Sequence, residues 1–225
     1  MRLPGFLPLL LFLLLVALLP FMFGEIFSTA LTKLHLDPRA ALLVILGILI
    51  GSGINIPIRR LVRQEEILVE PPMLFGLSGW WPRLRRAPRE TIIAVNVGGC
   101  LIPLGLALYE TLFMVIETPA TLWGLLICVS LNTLACYWMA RPIEGIGIAM
   151  PGLIPALIAA LGAVTMAPEQ AAPVAFIAGV LGPLIGADLF HLRDIERIAT
   201  GVASIGGAGT FDGIVLSGIV AAYLA

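Results

Sequence analysis

Long apolar runs separated by short polar connectors constrain this chain more than any other feature of its sequence. Of its 225 residues, 60% are hydrophobic and 12% are charged, whereas about 25% of residues are charged in an average soluble domain. Hydrocarbon offers no partner to backbone amides, so a chain inside it must satisfy them internally, as helices do. We therefore expect an all-α fold, a polytopic transmembrane helix bundle that forms a single integral membrane domain over residues 1–225.

About seven runs reach the length of a membrane span, which is about 20 apolar residues. They cover residues 3–23, 40–58, 91–116, 120–140, 147–166, 173–190 and 198–225. The first run is longer than the roughly 7–15 residues of a signal-peptide core, so we expect a retained anchor rather than a cleaved signal. Pro151 and Pro155 predict a kinked or broken fifth helix.

The distribution of basic residues predicts the orientation of the spans. Lysine and arginine near the end of a span favour the cytoplasmic side. With the N-terminus in the cytoplasm, all of the 13 lysines and arginines except Lys33 and Arg39 fall on that side. The Arg-rich stretch 59–90 is then a cytoplasmic loop, with Trp80 and Trp81 as interfacial anchors. We expect an extracytoplasmic C-terminus and no nucleic-acid partner.

The cysteines and histidines show no metal-binding pattern. Cys100, Cys128 and Cys136 lie inside predicted spans without ligand-like spacing, and buried thiols of this kind behave as small apolar side chains. His35 and His191 lie in connectors on opposite sides of the predicted membrane, where we expect exposed or interfacial rings. The sequence therefore predicts neither a metal site nor a cofactor.

Polar side chains inside the spans are costly and therefore informative. Asn55, Asn96 and Asn132 are candidates for hydrogen bonds between helices, a structural role that is the simplest interpretation of each. However, Asn55 and Asn96 also lie near the cytoplasmic ends of their predicted spans, as Asp188 does. This shared depth predicts a polar chamber open to the cytoplasm.

The stretch 204–213 has four glycines and the carboxylate of Asp212. A continuous helix over 198–225 would be about 42 Å long, more than the roughly 30 Å hydrocarbon core, and would place Asp212 near the midplane. An unwound or re-entrant segment would instead place Asp212 at a helix N-terminus, within reach of Asp188, with free amides nearby. Under this second arrangement the candidate binding residues are Asn55, Asn96, Asp188, Gly206, Gly207, Gly209, Thr210 and Asp212.

Five stretches carry a family resemblance: 54–57 (INIP), 95–99 (VNVGG), 140–142 (ARP), 186–189 (GADL) and 204–213 (SIGGAGTFDG). They are similar to those of an uncharacterised family of prokaryotic multi-pass membrane proteins, known as a domain of unknown function. The resemblance covers nearly the whole chain, and the last stretch is its most specific part. It implies a location in the prokaryotic cytoplasmic (inner) membrane and no particular activity.

A weaker resemblance is to the presenilin and signal-peptide-peptidase class of intramembrane aspartic proteases. It depends on Phe211-Asp212, Gly186-Ala187-Asp188 and the Pro-Ala-Leu element at 155–157. Neither aspartate has the full motif of that class, and the order of the two is reversed. If the resemblance holds, Asp188 and Asp212 are the catalytic pair, since two close carboxylates can share a proton and activate water.

Three functions therefore remain open. Broken helices with carboxylates and amides at a common depth favour transport of a small solute or ion, with proton coupling through Asp188 or Asp212. The first alternative is the di-aspartate protease, and the second is a structural or accessory membrane protein. The expected partners are the lipid bilayer and a small solute, an ion or a membrane-embedded peptide. Whether the chain forms a homo-oligomer is left open.

Overall fold

The computed structural model describes residues 10, 23–69, 83–143, 147–195 and 201–225. The predicted first span over 3–23 and the tryptophans at 80–81 fall almost entirely outside these residues. Within them the chain is mostly helical. Its α-helices are α1 over 23–32, α2 (Pro38–Gly51), α3 (Ile102–Glu117), α4 (Leu122–Met139), α5 (Ile154–Met166), α6 (Ala171–Leu181), α7 (Leu192–Ile195) and α8 (Gly213–Leu224).

Two wider π-helical segments extend the long helices. Val97–Leu101 precedes α3, and Gly182–Leu189 continues α6. Pro183 lies at the start of the second segment, where it cannot donate a helical hydrogen bond. Such π segments are often found at functional sites, and here the second one contributes Asp188 to the cavity described below.

Within the described residues, three continuous helical segments are long and apolar enough to cross a membrane: Val97–Glu117, Pro119–Met139 and Pro168–Asp194. The prediction of an apolar helical membrane protein agrees with these segments. The apolar helices α2, α5 and α8 are shorter, with 14, 13 and 12 residues. The number of seven spans therefore stays a prediction.

The core is centred on α6, which contacts α3, α4, α5 and α8. Ten of its eleven residues are buried. Small residues allow this close packing, because a Cβ added at Gly179 would lie 2.6 Å from the carbonyl oxygen of Ser217 on α8. Asn132 of α4 donates a hydrogen bond of 2.8 Å to the carbonyl oxygen of Ala178 on α6. Asn132 thus has the structural role between helices that the sequence predicted.

The prediction of an all-α fold needs correction, because the chain also forms two small sheets. Strand β1 (Asn55–Val69) pairs antiparallel with β2 (Arg83–Asn96), and β5 (Val202–Ile205) pairs parallel with β2. Strands β3 (Arg141–Ile143) and β4 (Gly147–Ala149) form a separate antiparallel pair. Of the predicted loop 59–90, residues 59–69 and 83–90 are therefore strand residues that pair with each other, and residues 70–82 lie outside the described part of the chain.

The strands also shorten several predicted spans. In the predicted span 40–58 the helix already ends at Gly51, and in the predicted span 91–116 the helix begins only at Val97. The run 91–95 is rich in β-branched residues, which favour strands, and hydropathy alone cannot separate a buried strand from a helix. Residues 202–212 form β5, a turn and a 3-10 turn at Gly209–Phe211 before α8 begins. Their role as an interruption of a membrane span stays a prediction.

Candidate functional site

A cavity of about 440 Å³ lies where β5 and the following turn meet the end of the second π segment. Asp188 and Asp212 both line it, so the structure brings the two predicted carboxylates together. They are close enough to interact electrostatically. The lining residues are Asn55, Gly147, Ile148, Asp188, Val202, Ala203, Ser204, Ile205, Gly206, Gly207, Ala208 and Asp212.

The three short apolar helices all have one end near this cavity. Asn55 begins the strand that follows α2, and Gly147 and Ile148 belong to the strand that precedes α5. Residues 202–208 and Asp212 precede α8. Apart from Asp188 on the second π segment, the lining residues thus lie on non-helical backbone that is connected to short helices, and broken helices of this kind are common at binding sites of transporters.

Asp188 is positioned by the packing of its own helical segment. Within that segment a Cβ at Gly186 would clash with the carbonyl oxygen of Thr133, so the segment lies directly against α4. The backbone N–H of Gly206 lies near the carboxylate of Asp188 and interacts favourably with it. This contact connects the second π segment with the turn that precedes α8.

Asp212 has a structural function as well as a place in the cavity. It is the N-cap of α8, and its Oδ1 accepts a 3.0 Å hydrogen bond from the Ile214 N–H. Its Oδ2 accepts a second hydrogen bond of 3.3 Å from the Ala208 N–H. A carboxylate at this position satisfies a free amide of the first helical turn and interacts favourably with the helix dipole.

The glycines of the turn are explained mainly by backbone geometry. Gly206 and Gly209 have φ angles of 71° and 61°, a left-handed conformation that other residues rarely adopt. A Cβ at Gly99 would clash with the carbonyl oxygen of Gly206, so the two backbones are in direct contact. Gly206 and Gly207 also line the cavity, whereas Gly209 and Thr210 do not.

Thr210 instead contacts α2 through Ser52. The two hydroxyl oxygens lie 2.9 Å apart, and Ser52 Oγ also lies 2.6 Å from the carbonyl oxygen of Ile48. A serine hydroxyl has one proton. When Ser52 donates it to Ile48, Thr210 is the donor to Ser52. This contact fixes the turn against the end of α2.

The two predicted asparagines have different environments. Asn96 is fully buried, and its Nδ2 donates to the carbonyl oxygen of Ser52 at 2.8 Å and to Asn55 Oδ1 at 3.1 Å. Its Oδ1 accepts from the Gly99 N–H at 2.7 Å. The amide of Asn96 is therefore committed to protein contacts and positions Asn55. Asn55 lines the cavity, and its Oδ1 also accepts a 2.6 Å hydrogen bond from Ser204 Oγ.

The charge of the cavity favours a cation. Its described lining residues include two carboxylates and no lysine, arginine or histidine. Asn55 and Ser204 add neutral oxygen atoms, and oxygen ligands suit hard cations. In the part of the chain that the structure describes, no group of three or more His, Cys, Asp or Glu side chains has the arrangement of a metal site. The arrangement is chemically suited to a weakly held ion or a cationic group.

The sequence predicted exposed or interfacial rings for both histidines, but only His35 remains partly exposed, with 25% of its side-chain surface accessible. His191 is buried, with 8% exposure, and its Nδ1 lies 3.0 Å from the carbonyl oxygen of Ala187. His35 pairs with the fully buried Glu110, with Nδ1 2.8 Å from Oε2. The short turn after α1 thus folds inward onto α3, because Glu110 needs a polar partner there.

Sequence reasoning overlooked Glu110 and Ser204. A signal for Glu110 was available, since a lone carboxylate inside an apolar run is a functional or structural site by default. No comparable signal identified Ser204, because a serine next to glycines is typical of any turn. Cys100, Cys128 and Cys136 are buried, as the sequence predicted.

Residues 49–224 match the model of a family that is described as a protein of unknown function (DUF1614). The chain belongs to the DUF1614 family. The resemblance that the sequence indicated is thereby confirmed, and the matched range includes every residue that lines the DUF1614 cavity. No curated protein and no solved structure matches the chain. The function of this DUF1614 protein has to be inferred from the cavity itself.

Proposed function

We propose that this protein transports a small cation, or a small solute with a cationic group, across the prokaryotic cytoplasmic membrane. The observation that supports the proposal is a cavity with two carboxylates and no cationic side chain among its described lining residues. Carboxylates at membrane depth are costly and mark ion or substrate pathways. In this proposal the chain has about seven spans, a cytoplasmic N-terminus and a cavity that opens to the cytoplasm.

The short helices support transport rather than simple anchoring. At 1.5 Å per residue, α8 with its 12 residues is about 18 Å long, well below the roughly 30 Å hydrocarbon core. A strand and a turn precede it, as expected for a discontinuous helix in a transporter. The turn is held by Asp188 and Asp212, so occupancy of the cavity by a cation would change the charge that positions this segment.

Ion flux in proteoliposomes tests the proposal. Purified protein is reconstituted and the flux of Na⁺, K⁺ and H⁺ is measured separately under an imposed membrane potential. We expect flux of at least one ion above that of protein-free vesicles. Asp188→Asn and Asp212→Asn should each reduce it about tenfold or more, since a hydrogen bond or contact to a charged group contributes about 1.5–3 kcal/mol.

The matched control is Glu169→Gln, which removes an exposed carboxylate from the turn Pro168–Gln170, away from the cavity. It should leave the flux unchanged. Flux that neither aspartate variant alters, or the absence of flux for all three ions, would contradict cation transport. Asparagine is a suitable replacement at position 212 because it is also a good N-cap residue.

A di-aspartate intramembrane hydrolase is the second candidate, favoured by the presence of Asp188 and Asp212 in one cavity. In that reaction the two carboxylates would share one proton and activate a water molecule for attack on a peptide carbonyl. A membrane-embedded peptide incubated with the purified protein separates the two functions. Cleavage that both aspartate variants abolish would favour the hydrolase, whereas an accessory role predicts neither flux nor cleavage.

A further inference from the structure

The cavity with the two carboxylates is larger than a bare metal ion requires. Its volume is about 440 Å³, whereas a single water molecule, which is similar in size to a dehydrated alkali-metal ion, takes up about 30 Å³ in the liquid. Binding sites for small organic molecules typically measure about 300–1,000 Å³. The apolar side chains of Ile148, Val202 and Ile205 also line this cavity. The space therefore suits a solute that has a hydrocarbon part.

The hydrogen bonds of Asn96 determine which polar atoms of Asn55 and Ser204 remain available. The Gly99 N–H donates to Asn96 Oδ1, so the atom that Asn96 presents to Asn55 is the donor Nδ2. Asn55 Oδ1 accepts from Asn96 at 3.1 Å and from Ser204 Oγ at 2.6 Å, and these two bonds use both of its lone pairs. Because Ser204 gives its only proton to Asn55, the Ser204 hydroxyl can only accept further hydrogen bonds.

Other oxygen atoms of the turn already have hydrogen-bond partners. The backbone carbonyl oxygens of residues 204, 206 and 208 each accept a hydrogen bond from the N–H group three residues further along the chain. A hard metal ion such as Ca²⁺ or Mg²⁺ takes about six or more oxygen ligands. A primary ammonium group has only three N–H donors. The carboxylates of Asp188 and Asp212 together with Ser204 Oγ supply three acceptors, which is enough for an ammonium group.

We infer that the cation bound in this cavity is a small primary alkylammonium ion, held through its N–H groups by Asp188, Asp212 and Ser204. The inference rests on the proposed cation transport and names the solute that is transported. An inorganic cation would leave the apolar part of the lining in contact with water, which is unfavourable in proportion to the apolar area. A neutral alcohol would cover that area but would leave the carboxylates without a counter-charge. An alkylammonium ion matches both parts of the surface.

The same oxygen atoms predict which ion moves in the flux test. Two carboxylates at one site can share a proton without any further ligand, whereas an alkali-metal ion needs a shell of oxygen atoms in place of its water. Of Na⁺, K⁺ and H⁺ we therefore expect only H⁺ to be carried. With one shared proton the two carboxylates have a single negative charge, which one ammonium group neutralises.

Isothermal titration calorimetry of the purified protein in detergent tests the substrate class without a flux measurement. Three ligands of similar size are compared at neutral pH. They are n-butylammonium, tetramethylammonium, which has the charge but no N–H donor, and n-butanol, which has the alkyl chain but no charge. We expect n-butylammonium to bind at least about tenfold more tightly than either of the others, because hydrogen bonds to charged groups contribute about tenfold or more to affinity.

Three variants test the assigned contacts. Asp188→Asn and Asp212→Asn should each weaken n-butylammonium binding about tenfold or more, and Ser204→Ala should weaken it about two- to tenfold because it removes a neutral acceptor. The matched control is Glu169→Gln, on the exposed turn Pro168–Gln170 away from the cavity. It should bind n-butylammonium as the unmodified protein does. Gel filtration of each variant verifies that it is folded.

Several results would overturn the substrate class. Equal affinities for n-butylammonium and tetramethylammonium would show that the N–H donors have no role. Unchanged binding in both aspartate variants would place the amine outside this cavity. Na⁺ or K⁺ flux that the aspartate variants abolish, with no binding of n-butylammonium, would leave cation transport standing and reject only the ammonium ion. Conversely, n-butylammonium binding that depends on both aspartates, without flux of any ion, would reject transport and support the ammonium site.

Discussion

Replacing His35 by alanine should destabilise this protein strongly, because the change leaves a carboxylate in the apolar interior without its main partner. Glu110 has no exposed surface. Its Oε1 accepts from the His35 backbone N–H at 3.1 Å, and its Oε2 lies 2.8 Å from the His35 ring Nδ1. The His35 side chain is 25% exposed, so its loss should cost less than the upper part of the about 3–5 kcal/mol range that is typical when one partner of a fully buried pair is removed.

The contacts of His35 allow the expected loss of stability to be divided into a packing part and an electrostatic part. The ring of Phe113 stacks on the His35 ring at a centroid distance of 3.8 Å, which contributes about 0.5–1.5 kcal/mol. The backbone N–H of residue 35 remains in the alanine variant and still reaches Glu110 Oε1. We therefore expect a loss of about 3 kcal/mol, of which about 2 kcal/mol is due to the carboxylate charge.

A double-mutant cycle measures that electrostatic part. Glu110→Gln alone keeps the shape and an acceptor for the backbone N–H, so it should cost about 0.5–1.5 kcal/mol. In the Glu110→Gln background this buried charge is gone, and His35→Ala should then cost only about 1 kcal/mol. The assay is reversible unfolding in mixed micelles of increasing denaturing-detergent content, followed by intrinsic fluorescence. If His35→Ala costs the same with and without the Glu110→Gln change, the charge is not what His35 stabilises.

Two further predictions concern the backbone around the cavity. Gly99→Ala should cost about 1–3 kcal/mol in the same unfolding assay, because its Cβ would clash with the Gly206 carbonyl oxygen. The control is Gly105→Ala on α3, where an added Cβ has nothing within 4 Å. This change should be neutral or stabilising by up to about 1 kcal/mol. Equal effects of the two substitutions would contradict the packing argument. Asp212→Ala should cost about 1 kcal/mol of stability because α8 loses its N-cap, whereas Asp212→Asn should cost less because asparagine is also a good N-cap residue. An equal loss of stability in both variants would show that the cap contributes nothing.

The hydropathy of the chain was sufficient to predict the long apolar helices, because a run such as Val97–Glu117 has the length and composition that a membrane requires. The meeting of Asp188 and Asp212 in one cavity could be anticipated only if the glycine-rich stretch was not helical, since that arrangement places Asp212 at a helix N-terminus within reach of Asp188. These inferences use local information only, namely the order of residues and their distance from the nearest polar connector.

What the sequence did not reveal depends on contacts between distant residues. The strand pairs Asn55↔Asn96 and Ile92↔Val202 join segments with no complementary signature, and charge-rich or β-branched stretches are compatible with either a loop or a strand. His35 and Glu110 are separated by 75 residues, so their pairing could not be derived from either one alone. Asn96 was expected near the polar site, but its role in holding Asn55 follows only from the fold.

The parallel pairing of β2 with β5 has a consequence for biosynthesis. Ile92 is hydrogen-bonded into a ladder with Val202, so one edge of β2 has no partner until the ribosome has made about 110 more residues. At about 5–20 residues per second this interval lasts roughly 5–20 s. During it the exposed strand edge is a target for incorrect pairing with other chains. The carboxylate cavity therefore cannot form before residues 202–212 have been synthesised.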